Sequence, residues 1–227
     1  MRIHFAAKVV ALALLFSSAP ASAREVTVRS IDALKKALYR AEPGTAVLIA
    51  PGTYAAPKGR KVFYLGGVKG TPKAPIEIRA ADPKNPPVFR GGNGCFHLNR
   101  CSYIVVDGII CEGAHVNNMQ FDFCDHLVVK NCVSRNMAAT LNNQNCDGIK
   151  MPGTRDFLFY NCTVEKWGFK GSAVDMVVCA RGLIARCRFS YPKLTGGGAN
   201  CTQPKSGTFG IGIYKCRFDD ASLRAVQ

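Results

Sequence analysis

The sequence predicts an all-β fold, a parallel β-helix with a short helix capping its N-terminal end. Three observations predict it. A strand pattern recurs five times, each copy alternates apolar and polar residues, and one position of the pattern is cysteine in four of the five copies. Alternation indicates strands with one buried face. A repeat of roughly 20–50 residues indicates a solenoid, in which each repeat packs only on its neighbours.

The first set of strands is aligned by one shared column, which advances in steps of 23, 30, 25 and 29 residues. A second set precedes it, with apolar residues two apart followed by a turn position. Two short strands per repeat, with little helix between them, exclude ankyrin-type and tetratricopeptide arrays. The shared column holds Ile109, Cys132, Cys162, Cys187 and Cys216, and the turn position of the second set holds Cys101, Cys124, Thr154 and Cys179.

The eleven cysteines favour core packing rather than disulfides or metal binding. No two of them stand three apart, so there is no C-x-x-C pair. Stacked rungs lie about 4.8 Å apart, a little long for the Cβ separation of a relaxed disulfide. Cysteine is also a small residue that fills tight interiors well. We therefore expect the cysteine column to be mostly reduced.

The first 23 residues have the features of an export signal. Arg2 and Lys8 supply positive charge, the apolar run from Val9 to Phe16 is too short to span a bilayer, and the small residues before Arg24 predict cleavage after Ala23. The mature chain is then secreted or periplasmic, without a membrane span. The predicted domains are a signal peptide over residues 1–23 and a β-helix domain over residues 24–227.

The ends of the β-helix domain have their own patterns. Ser30 is a good N-cap for a helix over Ile31 to Ala41, whose apolar face could cover the end of the core. Strands are expected from Ala46 and from Ala74, separated by a basic, glycine-rich loop from Lys58 to Lys73. At the other end, residues 225–227 resemble the start of another rung. We therefore expect the domain to be truncated at its C-terminal end.

The net charge of +15 indicates a polyanionic partner. An exported chain has little opportunity to meet nucleic acid, so an acidic polysaccharide is the expected partner and nucleic acid is not. The alternative is that the scattered basic residues only solvate the surface.

Several segments resemble the opening rungs of bacterial right-handed parallel β-helix proteins of the pectate-lyase-like superfamily. They are PGTY at Pro51, GTPKAPIEIRAADP at Gly70, CDGIKMPGTRDFLFYNCTVEKWG at Cys146 and GSAVDMVVCARGLIARCRF at Gly171. The resemblance covers roughly residues 25 to 227. The resemblance implies a right-handed parallel β-helix and, less specifically, an activity on polysaccharides.

An outward column of side chains is the candidate binding face. If Ile149 and Met151 point inward, Lys150 points outward, because strand side chains alternate. The same parity puts His97, Gln120, Asp175 and Gln203 in the same column. A neighbouring column holds Asn99, Asp122, Pro152, Val177 and Lys205. We expect Gln120, Asp175 and Gln203 to bind substrate in this groove, with Trp167 as a candidate platform for sugar stacking.

The resemblance implies a polyuronate lyase, which must remove the proton α to a carboxylate. Such β-elimination needs a base and a cation that neutralises the carboxylate. Lys150 and Lys205 are the catalytic candidates, each as base or as carboxylate clamp, and a lysine acts as base only if its pKa is lowered. Asp122, Asp147 and Asp175 are candidate ligands for Ca²⁺, which prefers several oxygens.

Asp147 to Lys150 with Asp175 faintly resembles the calcium-and-lysine arrangement of family-nine pectate lyases. The sequence departs from it because paired acids beside Asp175 are missing and Gln203 stands where the catalytic lysine is expected. Other interpretations stay open. Lys150 and Asp175 could form a simple exposed ion pair, Asp147 could be a turn residue before Gly148, and Trp167 could be core. A non-catalytic carbohydrate-binding or surface-structural β-helix protein is the alternative function.

Overall fold

The computed structural model describes residues 24–138, 146–191, 200–220 and 224–226. The predicted signal peptide, residues 1–23, lies outside the described residues. Within them, no helix combines the length and the apolar character that crossing a membrane requires.

Three parallel sheets form the sides of the solenoid, and a complete rung consists of three strands, one from each sheet. Sheet 1 has eight strands, sheet 2 has six and sheet 3 has seven. Sheet 1 consists of β1 (Glu25–Val28), β2 (Ala46–Ile49), β5 (Ile76–Ala80), β8 (Ser102–Asp107), β11 (Asp125–Lys130), β14 (Arg155–Tyr160), β17 (Ala180–Ala185) and β20 (Phe209–Tyr214). Sheet 2 consists of β4 (Lys61–Gly66), β7 (Gly94–Asn99), β10 (Asn117–Asp122), β13 (Asp147–Pro152), β16 (Ser172–Val177) and β19 (Asn200–Lys205). Sheet 3 consists of β3 (Thr53–Ala56), β6 (Val88–Gly91), β9 (Ile110–Glu112), β12 (Val133–Arg135), β15 (Thr163–Glu165), β18 (Arg188–Ser190) and β21 (Arg217–Asp219).

This architecture confirms the predicted right-handed parallel β-helix and corrects the number of strands per rung. The sequence predicted two strands, but the structure has three. The third strand is usually three residues long. It follows a two-residue turn, as at Gly108–Ile109 between β8 and β9, so the alternation runs almost unbroken across the bend.

The predicted cysteine column is confirmed. Its members precede residues that pair in register across sheet 3, from Ile110 through Val133, Thr163 and Arg188 to Arg217. All eleven cysteines are free thiols, and ten of them are buried. Each thiol of the column donates to a carbonyl of the preceding rung, as Cys162 Sγ does to the oxygen of Val129 at 3.5 Å. The column therefore adds a weak polar contact to apolar packing.

The turn between sheets 1 and 3 carries an asparagine ladder. Asn131 and Asn161 have φ of +54° and +52°, a left-handed conformation that asparagine adopts more readily than most residues. Asn161 Nδ2 donates to Asn131 Oδ1 at 2.7 Å, and Asn131 Nδ2 donates to Asp107 Oδ1 at 2.8 Å. The ladder holds successive bends in the same shape.

The N-terminal end is capped by a helix, α1 (Ile31–Tyr39), which ends two residues earlier than the apolar spacing predicts. Ser30 is its N-cap, and its hydroxyl accepts from the amide of Ala33 at 3.1 Å. Leu34 and Leu38 are buried on the face that covers the core.

Apart from the third strands of sheet 3, the sequence analysis missed two strands. β1 precedes the first predicted strand, and β4 lies inside the segment predicted as a basic loop. In β4 the buried residues Val62, Phe63 and Leu65 lie between lysines and glycines, which hide the apolar alternation. At the other end of the described chain, Thr202 pairs in parallel with Val226, the register expected for another rung.

Candidate functional site on the outer face of sheet 2

The outer face of sheet 2 carries the two polar columns that the sequence predicts. Register pairs join Tyr64 to His97, His97 to Gln120, Gln120 to Lys150, Lys150 to Asp175 and Asp175 to Gln203. Residues two positions later form the neighbouring column, which ends at Lys205. Ile149 and Met151 are buried on the opposite side of the strand, so Lys150 faces outward. We call this outer surface the groove face.

Four residues of the groove face form a lysine–aspartate cluster, which comprises Asp147, Lys150, Asp175 and Lys205. The ammonium group of Lys150 hydrogen-bonds to Asp175 Oδ2 and lies 3.5 Å from Asp147 Oδ2. Lys205 Nζ lies 3.0 Å from the other oxygen of Asp175. The Asp175 side chain is only 2% exposed, whereas Lys150 and Lys205 are 26% and 36% exposed. The interpretation as an exposed surface pair is therefore wrong, because the carboxylate is buried beneath two ammonium groups.

Burial and charge shift the pKa values of this cluster. Burial raises the pKa of Asp147 to about 6, and the neighbouring Asp175 carboxylate adds to the rise. Burial alone would lower the pKa of Lys150, but its hydrogen bond to Asp175 and the charges of Asp147 and Asp175 outweigh burial and raise it. Lys150 is therefore held as an ammonium ion, which suits a carboxylate clamp and not a base.

Asp147 is fixed by hydrogen bonds at the start of β13. Its Oδ1 accepts from the amide of Ser172 at 2.8 Å, and its own amide donates to Asn117 Oδ1 at 3.1 Å. Ser172 in turn donates through its hydroxyl to Gln203 Oε1 at 2.7 Å. Asp147 is thus a strand residue that joins neighbouring rungs, and the interpretation as a turn residue is wrong.

Gly148 explains how β13 can lie so close to the rest of the rung. A Cβ at this position would lie 2.5 Å from Val164 Cγ1 and 2.9 Å from the carbonyl oxygen of Ala173. Real Cβ atoms do not approach other atoms this closely. The absence of a side chain at Gly148 therefore allows Asp147 and Lys150 to take their positions beside β16.

A second group on the groove face, the histidine cluster, comprises Lys61, His97, Gln120 and Asp122. His97 Nε2 lies 2.8 Å from Asp122 Oδ2, and Lys61 Nζ contacts His97 Nδ1. Gln120 Nε2 donates to both oxygens of Asp122, at 2.9 and 3.1 Å. Lys61 and Asp122 thus contact opposite nitrogens of the same imidazole ring.

The histidine cluster also has shifted pKa values. Burial lowers the pKa of Lys61, and the charge of Asp122 opposes that shift. Burial alone would raise the pKa of Asp122, but hydrogen bonds from His97 and Gln120 outweigh it and lower the pKa. The sequence analysis placed His97 in the outward column but missed Lys61, which lies in the segment predicted as a loop. The outward parity that His97 shares with Lys150 was the available signal for this cluster.

The three predicted calcium ligands do not form one oxygen cage. Asp122 belongs to the neighbouring column and is bonded to His97 and Gln120, so it does not join Asp147 and Asp175. Asp147 and Asp175 are close to each other, but the ammonium groups of Lys150 and Lys205 already neutralise them. A Ca²⁺ ion between these carboxylates would meet two like charges. The residues as arranged do not fit a calcium site, and no step below uses one.

Trp167 does not reach the groove. Its side chain is fully buried, with its ring centroid 4.7 Å from that of the buried Tyr191. A buried indole cannot present a face to a sugar, so the prediction of a stacking platform is wrong and the alternative of core packing is confirmed. Gln120 and Gln203 do lie in the predicted column, with their amides engaged by Asp122 and Ser172. Their substrate contacts stay a prediction.

Comparisons with known proteins identify the fold through structure. No family model matches the chain, and no curated protein matches it by sequence. An alginate lyase from Paenibacillus sp. str. FPU-7 is similar in structure, with a TM-score of 0.69 at 19% identity over 88% of this chain and 68% of that one.

Two further solved structures are similar. The PL6 family alginate lyase AlyGC has a TM-score of 0.60 at 19% identity, over 83% of this chain and 26% of that one. Pectate lyase Pel9A has a TM-score of 0.59 at 14% identity, over 79% of this chain and 60% of that one. The three stacked parallel sheets and these neighbours together show that the chain has a right-handed parallel β-helix fold.

Proposed function

We propose that this protein binds an acidic polysaccharide along the groove face and cleaves it by β-elimination. The observation that carries the proposal is the lysine–aspartate cluster, in which two partly exposed ammonium groups cover a buried carboxylate. Such groups can exchange part of their contact with Asp175 for a uronate carboxylate that arrives from solvent. The proteins with similar structures include alginate and pectate lyases.

The two lysines are assigned different roles. Lys150 is the clamp, because its contacts with Asp147 and Asp175 raise its pKa and keep it charged. Lys205 is assigned as the base because it is the more exposed of the two lysines and, within the described residues, it forms one ion pair whereas Lys150 forms two. In its amine form Lys205 takes the proton α to the clamped carboxylate. The electrons of that C–H bond form a double bond, the glycosidic C–O bond breaks, and the departing oxygen takes a proton from water.

The histidine cluster supplies a second cation for the same substrate. Tyr64 and His97 begin the column that leads through Gln120 to Lys150. Because neighbouring rungs lie about 4.8 Å apart, Lys61 and Lys150 serve different sugar units of one extended chain. This arrangement favours a polymer over a short oligosaccharide.

The experiment is a digestion of alginate and of polygalacturonate, followed by ultraviolet absorbance, since elimination leaves a conjugated double bond. Arms with added Ca²⁺ and with a chelator test the calcium prediction, and equal rates are expected in both. Lys205→Ala should abolish turnover, and Lys150→Ala should raise KM. Lys84→Ala, which removes an exposed lysine elsewhere, is the control and should behave as the unmodified protein. New reducing ends without absorbance would indicate a hydrolase and overturn elimination.

A second candidate function is a non-catalytic carbohydrate-binding β-helix protein. The observation that favours it is the raised pKa of Lys150, since a cluster held in its charged form binds anions without removing protons. Salt-dependent binding with no absorbance change and no new reducing ends would establish this function. If alginate, polygalacturonate and glycosaminoglycans all fail to bind at low salt, both candidates are wrong.

A further inference from the structure

A cluster of three metal-ligating side chains lies away from the groove face, where the chain enters sheet 1. Asp125 and His126 begin β11, and Asp156 lies one rung further on, near the start of β14. Of the described residues, these three form a group whose nitrogen and oxygen ligand atoms all lie within 4.8 Å of one another. We call them the corner cluster.

Backbone geometry gathers these side chains. Ser102, Asp125, Arg155 and Ala180 pair in register, and the residue after each has a φ near +50°. That left-handed conformation turns the side chains of successive rungs toward the same place. The residues of this left-handed column are Tyr103, His126, Asp156 and Arg181.

The neighbours of the column fix the orientation of two ligands. The Tyr103 ring stacks on the imidazole of His126, with centroids 4.4 Å apart and planes at 20°. On the other side, Arg181 Nε donates to Asp156 Oδ1 at 2.7 Å and its terminal nitrogen to Oδ2. This pairing lowers the pKa of Asp156. A carboxylate has about four lone-pair sites, so two remain for another ligand.

His126 has a nitrogen without a hydrogen-bond partner. Its Nδ1 is buried and makes no hydrogen bond, although it lies 3.1 Å from Asp125 Oδ2. That separation is close to the roughly 3.4 Å between two ligand atoms of one tetrahedral zinc ion. Two carboxylates beside an imidazole lone pair form a donor set that suits first-row divalent metals.

We propose that Asp125, His126 and Asp156 bind a first-row divalent transition metal such as Zn²⁺. Three protein ligands leave a fourth position open to water, and the partial exposure of all three side chains gives the ion a path from solvent. Tyr103 and Arg181 act as the supporting contacts that metal ligands require. The site uses no residue of the groove face and does not depend on the proposed function.

The test is titration of the metal-free, untagged protein with Zn²⁺ by calorimetry and with Co²⁺ by visible absorption. One equivalent per chain is expected to bind. His126→Asn and Asp156→Asn should each weaken binding at least tenfold. Both variants should keep the fold, because asparagine tolerates the left-handed conformation. Circular dichroism checks this. His115→Asn changes a histidine outside the cluster and should bind as the unmodified protein.

Three outcomes would overturn the site. They are no saturable binding by the unmodified protein, unchanged binding in both asparagine variants, and a thiolate-to-cobalt charge-transfer band that assigns the metal to cysteines. The first outcome would leave the corner cluster as an ion-paired turn.

Discussion

The ammonium group of Lys205 lies 3.0 Å from Oδ1 of Asp175, a carboxylate that is almost completely buried. A buried charge that loses its partners is costly, by about 3–5 kcal/mol. The lysines of the groove face therefore stabilise the fold, in addition to the role proposed for them in the reaction.

Replacing both lysines, as Lys150→Met with Lys205→Met, should lower the free energy of unfolding by about 3 kcal/mol, because the buried Asp175 then has no cation beside it. Adding Asp175→Asn should restore most of that loss. Urea unfolding of the three variants measures it. If the triple variant is no more stable than the double variant, the carboxylate is not the source of the cost.

The raised pKa of Asp147 predicts that its contribution to stability falls as the pH rises, which is the opposite of the usual behaviour of an aspartate. Its folded pKa of about 6 lies above the usual value of 3.8, so the native state holds a proton that the unfolded state has lost between these values. The contribution of Asp147 to stability is therefore full below pH 4 and declines as the pH rises through 6.

Asp147→Asn removes this contribution and keeps an acceptor for the amide of Ser172. Relative to the unmodified protein, the variant should gain stability between pH 4 and pH 6 and show a constant difference above that range. Urea unfolding at several pH values measures the difference. A difference that does not change with pH would contradict the raised pKa.

Gly148→Ala should destabilise the fold by about 1–3 kcal/mol, since the new methyl group overlaps Val164 and the backbone of Ala173. Gly66→Ala is the matched control in the same sheet, because its Cβ would find the nearest atom at 3.5 Å. Thermal unfolding compares the two variants. Equal melting temperatures would show that β13 can move away from its neighbours.

Trp167 is the only tryptophan of the chain, so its fluorescence reports on its burial. We expect emission at short wavelength, poor quenching by acrylamide and no change on adding polysaccharide. Trp167→Phe should leave sugar binding unchanged and lower stability. Saturable quenching by sugar would instead mean that the indole reaches the groove.

The fold was predictable because the same residue pattern recurs in successive rungs of a β-helix. The columns through Cys132 and through Lys150 follow from counting alternate residues, and register pairing preserves that parity from rung to rung. β4 was missed because one short strand between glycines and lysines has no repeat to support it. The third strand was merged with the first because a two-residue bend hardly interrupts the alternation.

The candidate site was predictable as a surface but not as a set of contacts. The alternation of side chains placed Lys150 beside Asp175. Nothing in the sequence indicated that the Asp175 carboxylate would be buried or that Lys205 would also form an ion pair with it. Those properties depend on how long side chains fold over a neighbouring rung. Trp167 was misassigned because a tryptophan beside a glycine has the same pattern in a binding loop and in a core.

The cysteine column places thiols in successive rungs, where the reactivity of a buried thiol shows whether its own rung has unfolded. Each buried thiol in it, which excludes the partly exposed Cys216, becomes accessible only when its own rung opens, and solenoids open by loss of contact between neighbouring rungs. Alkylation followed by peptide mapping would therefore record how far unfolding has travelled along the axis, cysteine by cysteine, without any introduced probe. The order in which Cys132, Cys162 and Cys187 become modified gives the direction in which the solenoid comes apart.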